Sequence, residues 1–228
     1  MKVWVVTALW ALFCATGLAG EWQKLTGCRL IESNYNDGDS FHVSHGGKEF
    51  IFRLAYVDTP ETRALKEFTE RTTDQAKYFG IKKSVLFEMA AQASGLTKQA
   101  LGQPFTVWTD WTDAKGNSQI PRAFGIIETS QGDLAELLVK HGLSRVYGYS
   151  PARPDGTPSA RYKAKLKELE EKAFAEKAGA WAQTKRQSPP KYGSQSNAGG
   201  GSSHSNPKTF PQPEPKTSPV KTHYVPAI

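Results

Sequence analysis

The chain has 228 residues, of which 38% are hydrophobic, and a formal net charge of +7 at pH 7. This length suits one domain with a sizeable core. A disulfide scaffold is excluded, because Cys14 lies in a predicted leader and Cys28 is then the one cysteine left. The charge is uneven: residues 185–228 hold six basic residues and one acidic residue, whereas residues 21–184 have a net charge of only +1. Positive charge favours polyanionic partners. A tail that only improves solubility would explain the same excess of basic residues.

Both ends of the chain differ in composition from the middle. Residues 1–20 combine an early lysine, an apolar run and small residues, the layout of a secretory leader that is cleaved after Ala19 or Gly20. The run is short for a membrane span, so an uncleaved anchor is the weaker alternative. Residues 185–228 are rich in Ser, Gly, Pro and Lys, which predicts a disordered tail. We therefore expect a domain over 21–184, secreted or periplasmic, with no stable membrane span after cleavage.

The first structural pattern after the leader is a β-hairpin in SFHVSHGGKEFIFRLAYV. Gly46 and Gly47 can adopt the positive φ angles that a two-residue turn between two strands needs. With these glycines as the turn, the numbers of paired residues sum to 93, which places Asp39 opposite Leu54 and beside Arg53. The register thus predicts an acidic residue next to an arginine in an apolar strand.

The remaining elements follow in chain order. A polar stretch over 62–73 is predicted as an exposed loop, and a helix is predicted from Asp74. Two further strands are predicted in PFTVWTDWTD and RAFGIIET. Asp133 should cap a second helix that ends at Gly142, and Ser159 should cap a third. Strands first and helices interleaved later indicate an α+β domain built on a small antiparallel barrel.

Three short stretches place polar residues near the ends of predicted strands: DGDS, RLAYVDTPE and PRAFG. Asp39 and Asp58 supply two carboxylates, and the backbone carbonyl of Thr59 lies next to the second. Hard oxygen ligands of this kind suit Ca²⁺ or Mg²⁺ and do not suit zinc. No His or Cys spacing typical of a transition-metal site is present in the sequence.

The same three stretches hold one further carboxylate and two arginines, which are candidate catalytic residues. Glu61 follows a proline that fixes the turn, which places it to act as a general base on a water beside the metal. Arg53 and Arg122 supply forked donors that match phosphate oxygens. A hard cation, a base and two arginines can neutralise the charge that grows on phosphorus during phosphodiester cleavage.

A structural alternative explains the same residues. Asp39, Asp58 and Arg53 could form an ion-pair network with no catalytic role, since such networks also order charges. The DTPE stretch could be a simple turn. Composition and spacing alone do not decide between the two interpretations.

Residues 27 to about 182 resemble the staphylococcal nuclease family. The resemblance is carried by DGDS, by FRLAYVDTPET at the right distance after it, by QAKYFG at the opening of a helix and by LVKHGLSRVY before the last helix. It implies an OB-fold, a five-stranded β-barrel with three helices. It also implies a Ca²⁺-dependent endonuclease that hydrolyses DNA and/or RNA and leaves 3′-phosphate ends.

The resemblance implies roles for individual residues. It implies three calcium ligands, which are Asp39, Asp58 and the carbonyl of Thr59. Asp37 would support these ligands from behind. Glu61 would be the general base or would orient the water, and Arg53 and Arg122 would bind the scissile phosphate.

The chain departs from the family pattern at several places, among them Ser40, where the family more commonly has threonine. Gln-Ile-Pro at 119–121 replaces the Tyr-Gly-type turn before the second arginine. Tyr147 and Tyr149 straddle Gly148, where the family places its aromatic residue. The two tyrosines are candidates for stacking on a nucleotide, with a core or surface role as the alternative.

The expected protein is a monomeric nuclease with a DNA or RNA substrate and no obligate protein partner. One alternative is a non-catalytic OB-fold module that binds nucleic acid, although such modules lose the acidic and arginine residues that this chain keeps. Another is an envelope-interaction protein whose basic tail binds an anionic surface.

Overall fold

The computed structural model describes residues 21–61 and 69–191. The predicted leader, residues 192–228 of the predicted tail and residues 62–68 of the predicted 62–73 loop lie outside the described residues, so the predictions for these residues stay predictions. Within the described ranges, no helix is long and apolar enough to cross a membrane.

Five strands form a closed barrel that confirms the predicted OB-fold. They are β1 (Gln23–Leu30), β2 (Ser40–His45), β3 (Lys48–Leu54), β5 (Phe105–Thr109) and β6 (Arg122–Thr129). Neighbours in the order β3-β2-β1-β5-β6 pair antiparallel, and a parallel pairing of β3 with β6 closes the barrel. The barrel is therefore mixed and not purely antiparallel. Three two-residue strands complete the set: β4 (Val57–Asp58), β7 (Gly132–Asp133) and β8 (Arg145–Val146).

Side chains at alternate strand positions point into the barrel and fill its interior. In β5, Phe105, Val107 and Thr109 point inward and are buried, while the two residues between them are partly exposed. Phe52 in β3 and Ile127 in β6 meet them in the same core. This period-2 pattern fixes which face of each strand is buried, so polar residues at the strand ends reach the barrel surface.

The predicted register of the β2–β3 hairpin is confirmed. Ser40 pairs with Arg53. The turn glycines Gly46 and Gly47 have φ angles of +58° and +76°, which glycine adopts without strain. Beyond the last pair, the amide of Leu54 donates to the carbonyl of Asp39 at 2.8 Å. The deduced proximity of Asp39 to Arg53 follows from this register.

The described residues hold four α-helices, one more than the resemblance implied. They are α1 (Thr69–Phe79), α2 (Lys83–Ala100), α3 (Leu134–Lys140) and α4 (Ser159–Ala175), followed by a 3-10 helix at Gly179–Gln183. The extra helix arises because Gly80, with φ of +67°, breaks the single helix that the apolar spacing predicted. A Cβ at Gly80 would also lie 2.6 Å from Cγ of Arg186.

Helix starts differ from prediction in two places. Helix α1 begins at Thr69 and not at Asp74, so Arg71 lies on a helix and not in an exposed loop. Asp133 caps α3 as predicted, with its carboxylate accepting from two backbone amides. Ser159 is inside α4, whose N-cap is Pro158, and its hydroxyl donates to the carbonyl of Ser150 at 2.7 Å.

Candidate active site

The DGDS turn places Asp39 at the entrance of β2. Oδ1 of Asp37 accepts hydrogen bonds from the amides of Asp39 at 3.0 Å and Ser40 at 2.7 Å, which fixes the turn. Asp37 thus supports the turn from behind, and its support of a calcium site stays a prediction. Gly38 is required sterically, since a Cβ there would lie 2.8 Å from the side chain of Thr59. The turn can therefore approach the VDTPE segment closely.

Asp39 and Asp58 face each other across one guanidinium nitrogen. Nη2 of Arg53 donates to Oδ2 of Asp39 at 3.2 Å and to Oδ1 of Asp58 at 2.9 Å. Burial alone would lower the pKa of Arg53, but the neighbouring carboxylates outweigh it and raise that pKa above the usual value. Arg53 is therefore a permanent cation at the end of an apolar strand, held there by two acids.

Asp58 also binds three residues that the sequence analysis did not assign to the site. Nε of Arg145 donates to its Oδ2 at 2.7 Å, Nε2 of Gln75 donates to the same oxygen at 2.9 Å, and Arg71 contacts its Oδ1. Burial would raise the pKa of Asp58, but Arg71, Arg145 and Arg53 hold it well below its usual range. Asp58 is a carboxylate at every physiological pH.

Two of these residues lie inside motifs that marked the resemblance. Gln75 belongs to QAKYFG and Arg145 to LVKHGLSRVY. Arg145 reaches the site because β4 pairs with β8, which sets Asp58 opposite it. Arg71 lies in the polar stretch that was predicted as a loop, and no local signal in the sequence places it near a carboxylate.

Glu61 lies at the edge of the same cluster. Its side chain is 11% exposed, and its Oε1 accepts from Nη1 of Arg71 at 2.6 Å. The amide of Glu61 donates to Oε1 of Gln75 at 3.4 Å, which ties the end of the VDTPE segment to α1. Burial raises the pKa of Glu61, against the opposing effect of Arg71. A raised pKa makes a carboxylate a better proton acceptor near neutral pH.

Arg122 reaches the site despite the altered turn before it. Its Nη1 donates to Oγ of Ser40 at 3.2 Å, and Ser40 pairs with Arg53 across the hairpin. Its Nε donates to the carbonyl of Lys115 at 2.9 Å, and its Nη2 to that of Ala114 at 3.4 Å. The 110–121 segment thus orients Arg122 through backbone carbonyls, which the Gln-Ile-Pro sequence leaves intact.

Gly116 controls the position of this arginine, and its replacement is expected to lower cleavage. It has φ of +122°, and a Cβ there would lie 2.8 Å from Nη2 of Arg122. Gly116→Ala should therefore displace the guanidinium and lower any cleavage activity by about tenfold or more, in addition to a backbone strain of about 1–3 kcal/mol. Turnover and thermal unfolding measured on the same sample separate these two effects.

Gly132→Ala is the matched control for this prediction. Gly132 has a similar φ of +114°, but nothing lies within 4 Å of its would-be Cβ. Both variants should lose comparable stability, and only Gly116→Ala should lose turnover. Equal turnover in the two variants would contradict a role for Gly116 in positioning Arg122.

The two candidate tyrosines differ in their exposure and in their contacts. Tyr147 is 42% exposed, and its ring lies 4.2 Å from the guanidinium carbon of Arg145. Tyr149 stacks on Phe124 with ring centroids 4.6 Å apart, and its hydroxyl donates to Asp110 at 2.5 Å. Tyr147 therefore offers a ring beside the site, whereas Tyr149 is fixed by packing. Nucleotide stacking by either residue stays a prediction.

The oxygen donors present fit a hard divalent cation. Asp39 and Asp58 both lie within 3.2 Å of Nη2 of Arg53, so their carboxylates are close enough together to share one cation. The Thr59 carbonyl accepts from Gln75 at 2.8 Å, beside the same carboxylates. Among the described residues no group of three or more His, Cys, Asp or Glu side chains could hold a metal. The candidate set is two carboxylates and a carbonyl, a composition that suits calcium or magnesium.

Comparison with known proteins identifies the family of this chain. The family described as "Staphylococcal nuclease homologue" matches residues 51–183, which is more than half of the chain. The match begins in β3 and covers Arg53, Asp58, Glu61, Arg71 and Arg122. A search of curated proteins found no match. Together with the OB-fold barrel, the family match means that the chain belongs to the staphylococcal nuclease homologue family.

Proposed function

We propose that the protein is an exported, calcium-dependent nuclease that hydrolyses phosphodiester bonds of DNA or RNA and leaves 3′-phosphate ends. The proposal depends chiefly on one observation: Asp39 and Asp58 both accept hydrogen bonds from Arg53, and Glu61 and Arg122 lie beside them. Its family consists of nuclease homologues, which supports a nucleic-acid substrate. Export is proposed from the leader-like composition of residues 1–20.

Asp39, Asp58 and the Thr59 carbonyl would hold calcium. Bound there, the ion would supply positive charge against the developing negative charge of the phosphoryl group. Asp58 is suited to a cation because its pKa is held well below the usual range, so no proton competes. Asp37 keeps the Asp39 turn rigid through two backbone hydrogen bonds.

Arg53 and Arg122 would bind the phosphate. Both are permanent cations, and their forked donors match two phosphate oxygens at once. Arg122 holds two backbone carbonyls and one hydroxyl, and Arg53 holds two carboxylates. Their orientation is therefore set before substrate arrives, which lets their charge act in the transition state without reorganisation.

Glu61 would accept the proton of the attacking water. The water oxygen bonds to phosphorus as the bond from phosphorus to the 5′-oxygen breaks. The leaving 5′-oxygen takes a proton from solvent, Glu61 releases the proton that it accepted to solvent, and the phosphate stays on the 3′-oxygen. Burial raises the pKa of Glu61, which brings its proton affinity closer to that needed near neutral pH.

Calcium removal is expected to abolish cleavage. The full chain would be incubated with single- and double-stranded DNA and RNA, first with calcium and then with a calcium chelator. Cleavage with calcium and its loss with chelator would support the proposal, and end-labelling of the products would test for 3′-phosphates. Restoration by added calcium excludes damage by the chelator.

Other outcomes would favour other functions. Nucleic-acid binding without cleavage would favour the non-catalytic OB-fold module. Binding to an anionic surface that disappears when residues 192–228 are removed would favour the envelope-interaction protein. The cut belongs after residue 191, because the amide of Lys185 donates to the carbonyl of Gly80 at 2.9 Å and Arg186 reaches the carbonyl of Tyr78.

A further inference from the structure

Arg71 pairs closely with two acids of the candidate site, Asp58 and Glu61, and lies near the third, Asp39. Its Nη1 lies 2.6 Å from Oε1 of Glu61, its Nη2 contacts Oδ1 of Asp58, and the same Nη2 lies 4.0 Å from Oδ2 of Asp39. It therefore lies on the side of the two aspartates where Glu61 is, the side that a catalytic cation would share with the base.

The charges of the ion-paired groups balance without any metal, and Arg122 adds a further positive charge beside them. Asp39, Asp58 and Glu61 carry three negative charges, and their guanidinium partners carry three positive charges, from Arg53, Arg71 and Arg145. A divalent cation added to this set would leave two uncompensated positive charges in a largely buried site, which is unfavourable. Withdrawal of one arginine would halve this excess, so a cation should bind more tightly when one arginine leaves.

Of these three arginines, Arg71 can move away from the carboxylates with the least disturbance of the fold. Its side chain is 29% exposed, against 15% for Arg53 and 9% for Arg145. Arg145 lies against the ring of Tyr147 at 4.2 Å, and Arg53 extends from a strand of the closed barrel. Arg71 extends from the first turn of α1, and its side chain is partly exposed.

We propose that Arg71 is a built-in counter-cation that competes with calcium for Asp39 and Asp58 and so sets the calcium affinity of the site. This inference rests on the proposed calcium site. In the metal-free protein Arg71 holds the carboxylates together, and its release strengthens calcium binding. Once released, it leaves Glu61 free of its ion pair and available as a base. Arg71 is thus a positioning residue for the two aspartates and for Glu61.

The test is calcium titration of the full chain by calorimetry, with Arg71→Gln and Arg71→Lys. Arg71→Gln should bind calcium at least tenfold more tightly than wild type, because the competing charge is gone. Arg71→Lys should lie between the two, since an ammonium cannot fork between Asp58 and Glu61. Lys172→Gln removes an equal charge from the exposed face of α4 and should leave the affinity unchanged.

Thermal unfolding gives a readout independent of affinity and of activity. Without calcium, Arg71→Gln should unfold at a lower temperature than wild type, because three acids then share two guanidinium groups. With saturating calcium, the difference should shrink or reverse. If Arg71→Gln does not fold, Arg71→Lys carries the test by the same two measurements.

The outcomes separate this inference from the proposed function. Calcium binding by wild type with equal or weaker affinity in both Arg71 variants would overturn the inference and leave the calcium site standing. Binding by Arg71→Gln but not by wild type would support the competition and contradict calcium dependence of the natural chain. No binding by any variant would overturn both.

Discussion

Replacement of Glu61 by glutamine is expected to lower turnover by about a thousandfold, the middle of the range for loss of a general base. The side chain keeps its shape and loses its proton affinity. Its carboxylate accepts from Arg71 at 2.6 Å, and the glutamine amide oxygen can still accept that hydrogen bond. The fold should therefore survive. The measurement is the single-turnover rate of cleavage at saturating substrate and calcium, with circular dichroism on the same sample.

Glu32→Gln serves as the control for this experiment. Glu32 pairs with Lys98 on the surface, with 72% of its side chain exposed, and belongs to no contact of the site. It should keep the wild-type rate. A Glu61→Gln rate within about threefold of wild type would remove Glu61 from the chemistry. Equal loss of fold and activity would make it a structural residue.

The parts of the site that were predicted from sequence depend on local rules. Two glycines fix the hairpin turn, the turn fixes the register, and the register brings Asp39 to Arg53. Asp58, Thr59 and Glu61 follow within one short segment of the chain, so their proximity needs no knowledge of the fold. The barrel itself follows from alternating strands and the family resemblance.

The parts that were missed depend on tertiary contacts. Arg145 binds Asp58 from 87 residues away, across a strand pair only two residues long. The first turn of α1 reads Thr-Glu-Arg-Thr and has no apolar period, so its helix was predicted as a loop. Arg71 at this point binds Asp58 and Glu61, and both contacts depend on the tertiary structure. Charged helix starts of this kind leave no local pattern in a sequence.

The balanced ion pairs also bear on the structural alternative. A network of three acids and three arginines would order the cluster with no catalytic role, as the sequence allowed. Such a network explains Arg53 and Arg145, but it does not explain Arg122. Within the described part of the chain, Arg122 forms no ion pair with a carboxylate and is oriented by two carbonyls and Ser40. An arginine that lies at the site and has no carboxylate partner indicates that the site binds an anionic ligand.

Replacement of Arg53 by lysine is expected to lower turnover by about a hundredfold to a thousandfold, the range for loss of one preorganised donor. Nη2 of Arg53 bridges Asp39 and Asp58, which leaves its other nitrogens for phosphate. A lysine ammonium is a single point and cannot hold both acids and a phosphate oxygen in one geometry. The measurement is kcat and KM with a short oligonucleotide, at a calcium concentration that saturates both proteins.

Arg153→Lys is a close structural match for this variant. Arg153 also forms a 2.9 Å ion pair with a partly buried aspartate, Asp133, and its side chain is 12% exposed against 15% for Arg53. It lies over the ring of Tyr162, outside the site. Both variants should therefore lose similar thermal stability, but only Arg53→Lys should lose turnover. Near-normal turnover in Arg53→Lys would mean that Arg53 only pairs Asp39 with Asp58, and the phosphate would then depend on Arg122 alone.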